Sequence, residues 1–138
     1  DVIEEDYYFK DERFSIAPSI LVKQYCSIIE HEVNEIIRIL NLPDKPAKHL
    51  MWFKMKEYVK EHNIDLEATD YTLTEVLENL YDLRNKGAHG DVITKEEYSI
   101  ISKYKNLGLF NGISIEKLRL SNGKISPTID ELEEYMGL

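Results

Sequence analysis

Apolar residues recur along this chain at steps of three and four, the spacing that lines one face of a helix. From Ser19 to Leu40 they fall at Leu21, Tyr25, Ile28, Ile29, Val33, Ile36, Ile37 and Leu40, behind Pro18, whose fixed φ suits a helix opening. Pro43 and Pro46 break the pattern, because each removes a donor and restricts the residue before it. A second helix is predicted from about Ala47 to Glu61, with Leu50, Trp52, Phe53, Met55, Tyr58 and Val59 spread round more than one face. Thr72 and Glu75 form a capping box that opens a third helix with the stripe Leu73, Val76, Leu77 and Leu80. Thr94 and Glu97 open a fourth in the same way, carrying Tyr98, Ile100, Ile101 and Tyr104 until Asn106 to Gly108 ends it.

Beyond that point the periodicity weakens. Ile113 to Leu120 and Lys124 to Ile129 flank Ser121-Asn122-Gly123, and Asn-Gly signals a β-hairpin; Asp130 to Met136 reads as a last short helix. The expected fold is therefore all-α, a bundle of four to five helices. A segment over residues 1–17 precedes the bundle at 18–106, and a C-terminal extension over 107–138 packs on it.

A length of 138 residues is one ordinary domain, large enough to bury roughly 68–70% of the surface of its unfolded chain. The single Cys26 excludes an internal disulfide framework and any zinc site built from several thiolates; it sits among apolar residues, as buried filler does. A formal net charge of −9 argues against gripping nucleic acid by bulk electrostatics. It is unevenly spread: residues 1–40 hold nine acids and four bases, residues 71–106 six acids and five bases. No apolar run is long enough to span a membrane and the N-terminus is acidic, so a soluble cytoplasmic protein with no membrane contact is expected. The chain begins at Asp1, as a processed or trimmed chain or a domain of a longer protein would.

One residue conflicts with the packing pattern. On a wheel of about 100° per residue, Val76, Leu77, Leu80 and Arg84 share a sector of roughly 100° with Leu73, and Arg84 falls near its middle. A guanidinium cannot be neutralised, so there it must meet a carboxylate, line a wet cleft or await an anion. Gly87 and Ala88 flank the same sector, where small side chains let another backbone approach closely. His89 follows Arg84 by five residues, a rotation of about 140° on an ideal helix. The two converge on one target only if Gly87 loosens the helix, or if a two-fold axis brings the same helix of two chains together. Such a cleft is locally positive on an acidic molecule.

The stretch Tyr81-Asp82-Leu83-Arg84-Asn85-Lys86-Gly87-Ala88-His89 resembles the signature of HEPN domains, in which an arginine and a polar residue, often asparagine, are followed within a few residues by histidine. The resemblance covers at best residues 19–106. It implies a helical bundle that dimerises through the third-helix face and, in many members, metal-independent endoribonuclease activity in toxin–antitoxin or antiviral defence; other members are non-catalytic binding modules. It assigns Arg84 and His89 to catalysis, Asn85 to an orienting role and Lys86 to substrate binding, with RNA as substrate and an antitoxin or larger parent protein as further partner. No metal or other cofactor is implied. The residue types suit this chemistry: histidine titrates near neutrality and can relay the 2′-hydroxyl proton, while arginine grips the phosphate bidentately. The products would be a 2′,3′-cyclic phosphate and a 5′-hydroxyl. A subgroup of toxin members has tyrosine two positions after the histidine; here it is Asp91, so regulation through that tyrosine is not implied.

Plainer readings compete. Arg84 to Gly87 also suits a helix C-terminus, with bases on the macrodipole and Gly87 as left-handed cap. Arg84 also fits as the partner of Glu78, Asp82 or a carboxylate on the first helix, holding the bundle without catalysis. A nuclease requires Arg84 and His89 to face a common, solvent-reachable cleft, whereas an arginine locked against a carboxylate in a monomer is structural. His31 and Glu35 stand at i, i+4 spacing but lack a third metal ligand and read as a solvated face. His49 and His62 lie near the ends of the second helix, where capping or exposure accounts for them. Lys54, Lys56 and Lys60 have Glu57 and Glu61 beside them and read as helical ion pairs. Gly87 and Gly90 have no phosphate-loop context.

Overall fold

Periodicity alone accounts for the longest element, α1 (Ala17–Leu40). The computed structural model describes residues 17–125. It continues with α2 (Trp52–Glu61), α3 (Leu73–Asn79), α4 (Tyr81–His89), α5 (Lys95–Asn106) and α6 (Leu109–Ile125). Among the described residues all regular structure is helical, so the fold is an all-α bundle. No helix among them is long and apolar enough to cross a membrane. The N-terminal segment 1–16, the second predicted strand beyond residue 125 and the predicted helix over 130–136 lie outside the described residues.

The inward stripe of α1, made of Val22, Cys26, Ile29, Val33, Ile36 and Ile37, is fully or almost fully buried, and it packs mainly against α4 and α6. Ile28, placed on that stripe by its spacing, instead points outward and is 47% exposed. Trp52, Met55 and Val59 of α2, the complete stripe Leu73, Val76, Leu77 and Leu80, and Tyr98, Ile101 and Tyr104 of α5 finish the core. Ile100, also expected inside, is exposed.

Two element boundaries and one cap differ from expectation, each for a tertiary reason. The second helix begins at Trp52 rather than Ala47 because Asn34 of α1 ties down both backbone groups of Leu50, and the N-cap Met51 that follows is extended at ψ 164°. The Leu50 N–H donates to Asn34 Oδ1 at 2.8 Å, and Asn34 Nδ2 donates to the Leu50 carbonyl at 2.9 Å. The predicted third helix is two, interrupted at Leu80. There the Trp52 indole donates to the Leu77 carbonyl at 3.0 Å, while Arg84 N still donates to the Leu80 carbonyl at 2.8 Å. Thr72 caps α3 by accepting from Glu75 N at 3.1 Å, but only half of the expected box forms: Glu75 Oε1 accepts from the Tyr104 hydroxyl at 3.4 Å instead. The box at Thr94 and Glu97 is complete.

The largest correction concerns the C-terminal extension. Where a hairpin was expected around Asn122-Gly123, the backbone is helical from Leu109 to Ile125. A strand would put Ile113 and Ile115 on one face, yet Ile113 is 1% and Ile115 50% exposed. The buried face is helical in period, running through Leu109, Ile113 and Glu116. Glu116 is 3% exposed because Arg119, three residues on, pairs with it while its Oε1 accepts from Glu67 N at 3.2 Å. Lys117 reaches Glu32 of α1 at 2.5 Å. Residues 109–125 thus belong to the bundle.

Two substitutions test this packing. Asn34→Ala strips both Leu50 backbone groups of their partner and is expected to cost about 1–3 kcal/mol in urea unfolding. At Gly87 a Cβ would lie 2.9 Å from Val22 Cγ1 and 3.1 Å from Lys23 N. The overpacking cost of Gly87→Ala, about 1–3 kcal/mol, should outweigh the up to ~1 kcal/mol gained from helix propensity, giving a net loss of stability.

Candidate functional site

α4 approaches α1 closely enough for Gly87 to be buried against Val22 and the Lys23 backbone. The glycine neither loosens nor ends the helix: α4 continues to His89. The left-handed residue is Gly90 at φ 71°, with Gly90 N donating to the Gly87 carbonyl at 3.2 Å and Asp91 N to the Lys86 carbonyl at 3.0 Å. The close contact expected of the small residues is therefore met within one chain at Gly87, while Ala88 remains exposed.

Arg84 does not occupy the core position that the wheel assigned to it. Leu83, 3% exposed, takes the buried place on α4, and the Arg84 side chain, 24% exposed, lies across the α1–α4 seam. Its Nη2 donates to Glu30 Oε1 of α1 at 3.4 Å, and its Nη1 to Asn85 Oδ1 at 3.3 Å. Glu30, 15% exposed in its side chain, has its other oxygen 3.6 Å from His49 Nε2. One carboxylate thus stands between a guanidinium and an imidazole. The carboxylate on the first helix, one of the plain readings of Arg84, is Glu30.

These groups open onto a cleft of about 140 Å³ lined by Lys23, Cys26, Ser27, Glu30, Arg84 and Ala88. Burial pushes the Cys26 thiol up to about 12, the Glu30 carboxylate adding to the effect and the Arg84 guanidinium opposing it. Cys26 is therefore a neutral, apolar wall.

The structure brings Asn85 to Arg84 but does not bring the other motif residues together. His89, the last residue of α4, is exposed, makes no side-chain hydrogen bond or ion pair among the described residues, and does not line the Arg84 cleft. Within one chain the two side chains share no cleft. Lys86 sits about 200° round the helix from Arg84. It pairs with Glu97 of α5, raising its own pKa and holding that carboxyl below the ordinary range. The same Glu97 closes the α5 capping box.

Glu30 and His49 are the neighbours of Arg84 that sequence reasoning missed. They lie 54 and 35 positions from it, and no local spacing connects them. The other histidines have ordinary settings. His31 is exposed, with Glu35 committed to Arg38; His62 packs on Tyr58 at 4.2 Å between centroids and has Nε2 2.8 Å from Asp44. Among the described residues no three His, Cys, Asp or Glu side chains gather as a metal site. No family model, curated protein or solved structure matches this chain, so the HEPN resemblance rests on the motif and its helical setting.

The state of Cys26 is directly measurable. At pH 8, iodoacetamide should alkylate the native thiol at least about 100-fold more slowly than the urea-unfolded one, since a pKa near 12 leaves far less thiolate than the ordinary 9.0.

Proposed function

We propose that the chain is a HEPN-like, metal-independent endoribonuclease whose site is completed by a second copy of itself. The observation that carries this reading is the setting of Arg84: a partly exposed guanidinium at the mouth of a cleft, on the same nine-residue helix as an uncommitted histidine. Beside the cleft, α1 offers a mainly apolar depression of about 600 Å³ lined by Ile20, Lys23, Gln24, Ser27 and Ile28, with Ile20 54% and Ile28 47% exposed. It shares Lys23 and Ser27 with the Arg84 cleft. A second copy on this face would bring two Arg84 and two His89 side chains towards one another. Glu30 beside each guanidinium lowers the repulsion between them.

In such a site the His89 imidazole of one copy, beside the Arg84 of the other, accepts the 2′-hydroxyl proton as O2′ attacks phosphorus, the P–O5′ bond breaks, and the imidazolium so formed returns the proton to the departing oxygen. Arg84 turns from Glu30 to the phosphate, where bidentate contact stabilises the charge that develops. The balanced products are a 2′,3′-cyclic phosphate and a 5′-hydroxyl.

The Arg84–Glu30 pair favours a second reading, a non-catalytic dimerisation or binding module of a defence protein in which the pair only fastens α4 to α1. Incubation of mixed RNA with the purified protein in EDTA separates the two. Cleavage should fall by at least about 100-fold in both Arg84→Ala and His89→Ala. Mixing those two inactive variants should restore activity, because a heterodimer regains one intact composite site. Identical behaviour of wild type and His89→Ala at every dose rejects the nuclease.

A further inference from the structure

The acidic chain carries one stretch of opposite character. Residues 45–56 hold Lys45, Lys48, Lys54 and Lys56 and no acid, and they include the most exposed apolar side chains of this region, Met51 at 60% and Phe53 at 46%. Lys54, Lys56 and Lys60 were expected to pair with Glu57 and Glu61 on their own helix. Lys60 does reach Glu78 at 3.8 Å, but among the described residues Lys48, Lys54 and Lys56 reach no carboxylate. Lys56 lies over two aromatic rings instead, 4.9 Å from the Phe53 centroid and 5.2 Å from that of Tyr81. Those rings stand 6.0 Å apart at 55°.

We propose that Phe53, Tyr81 and Lys56 form a base-stacking subsite for single-stranded RNA that feeds the Arg84 site, a proposal that rests on the ribonuclease reading above. Three observations support it. An exposed aromatic ring beside an unpaired ammonium is the combination that holds a single strand, the ring taking a base face and the ammonium a phosphate. The lysine-rich stretch complements an anionic strand on a chain that otherwise repels one. The patch also joins the Arg84 site at two points. Tyr81 precedes Arg84 by one turn of α4, and His49, from the same basic stretch, reaches Glu30 on the carboxylate's other oxygen. A duplex hides its base faces, so the platform selects unpaired RNA, while the exposed Glu57 and Asp82 at its edges discourage a second backbone.

The test measures anisotropy of labelled oligouridine of roughly 12 nucleotides on the full chain carrying His89→Ala, which removes cleavage and leaves the platform intact. Phe53→Ala should weaken binding about 10-fold, and Phe53→Leu, which keeps the apolar bulk and the fold, should do the same. An abasic strand of equal length should bind both variants and their parent equally, and Lys56→Gln should weaken both strands and flatten the salt dependence. Unchanged oligouridine affinity in both Phe53 variants overturns the subsite, as does equal parental affinity for the abasic or duplex strand or for an acidic peptide. If that occurs while wild type still cleaves RNA, only the subsite fails. If wild type neither binds nor cleaves RNA, the ribonuclease reading fails and takes the subsite with it.

Discussion

The distance between α1 and α4 governs everything around the candidate site, and Gly87 sets it. With the glycine against Val22 and the Lys23 backbone, the helices lie close enough for Arg84 to reach Glu30 across the seam. A side chain at residue 87 would lever the helices apart at the point where Arg84 has only a 3.4 Å contact to spare. The same approach buries Leu83 and Cys26, and Cys26 gives the cleft an uncharged wall. Glycine inside a helix costs up to about 1 kcal/mol relative to alanine, and the packing it permits offsets that cost.

Charge at the seam is balanced without being sealed. An isolated buried guanidinium would cost several kcal/mol, and a fully buried ion pair would resist parting. At 24% and 15% side-chain exposure, Arg84 and Glu30 fall between that limit and a surface pair, which contributes about 0–1 kcal/mol. Glu30 is also shared with His49 at 3.6 Å. An arginine held this way is aimed, yet an incoming phosphate with two acceptor oxygens competes well for it. A structural fastening and an anion site therefore differ less in resting geometry than in what happens when an anion arrives.

The legible parts of the fold were those whose cause is local. Eight apolar positions over six turns specify α1, and the Thr94–Glu97 box, made of residues three apart, is complete. The start of α2 was hidden because Asn34, sixteen residues before Leu50, decides it. The C-terminal helix was misread because Asn-Gly is a strong local turn signal, whereas burial of Leu109, Ile113 and Glu116 against distant segments outweighs it. At the site, the wheel identified Arg84 as out of place but put it at the centre of the core, since a pattern of leucines cannot report that Leu83 takes the buried position. Glu30 and His49 were invisible for the same reason: their relation to Arg84 exists only once α1, the 41–51 connection and α4 are packed.

Net charge is a poor guide to the surface of a molecule this small. The −9 of the whole chain says nothing of the acid-free stretch 45–56, and at physiological salt a charge is largely screened beyond a Debye length of about 8 Å. Within that distance the local lysines weigh more in the potential a strand meets than the total charge of the chain does. Screening weakens the long-range repulsion sooner than the contact attraction, because only the former acts across bulk solvent. Long-range repulsion therefore slows encounter and favours release, while the local field and exposed rings govern which surface an arriving strand occupies.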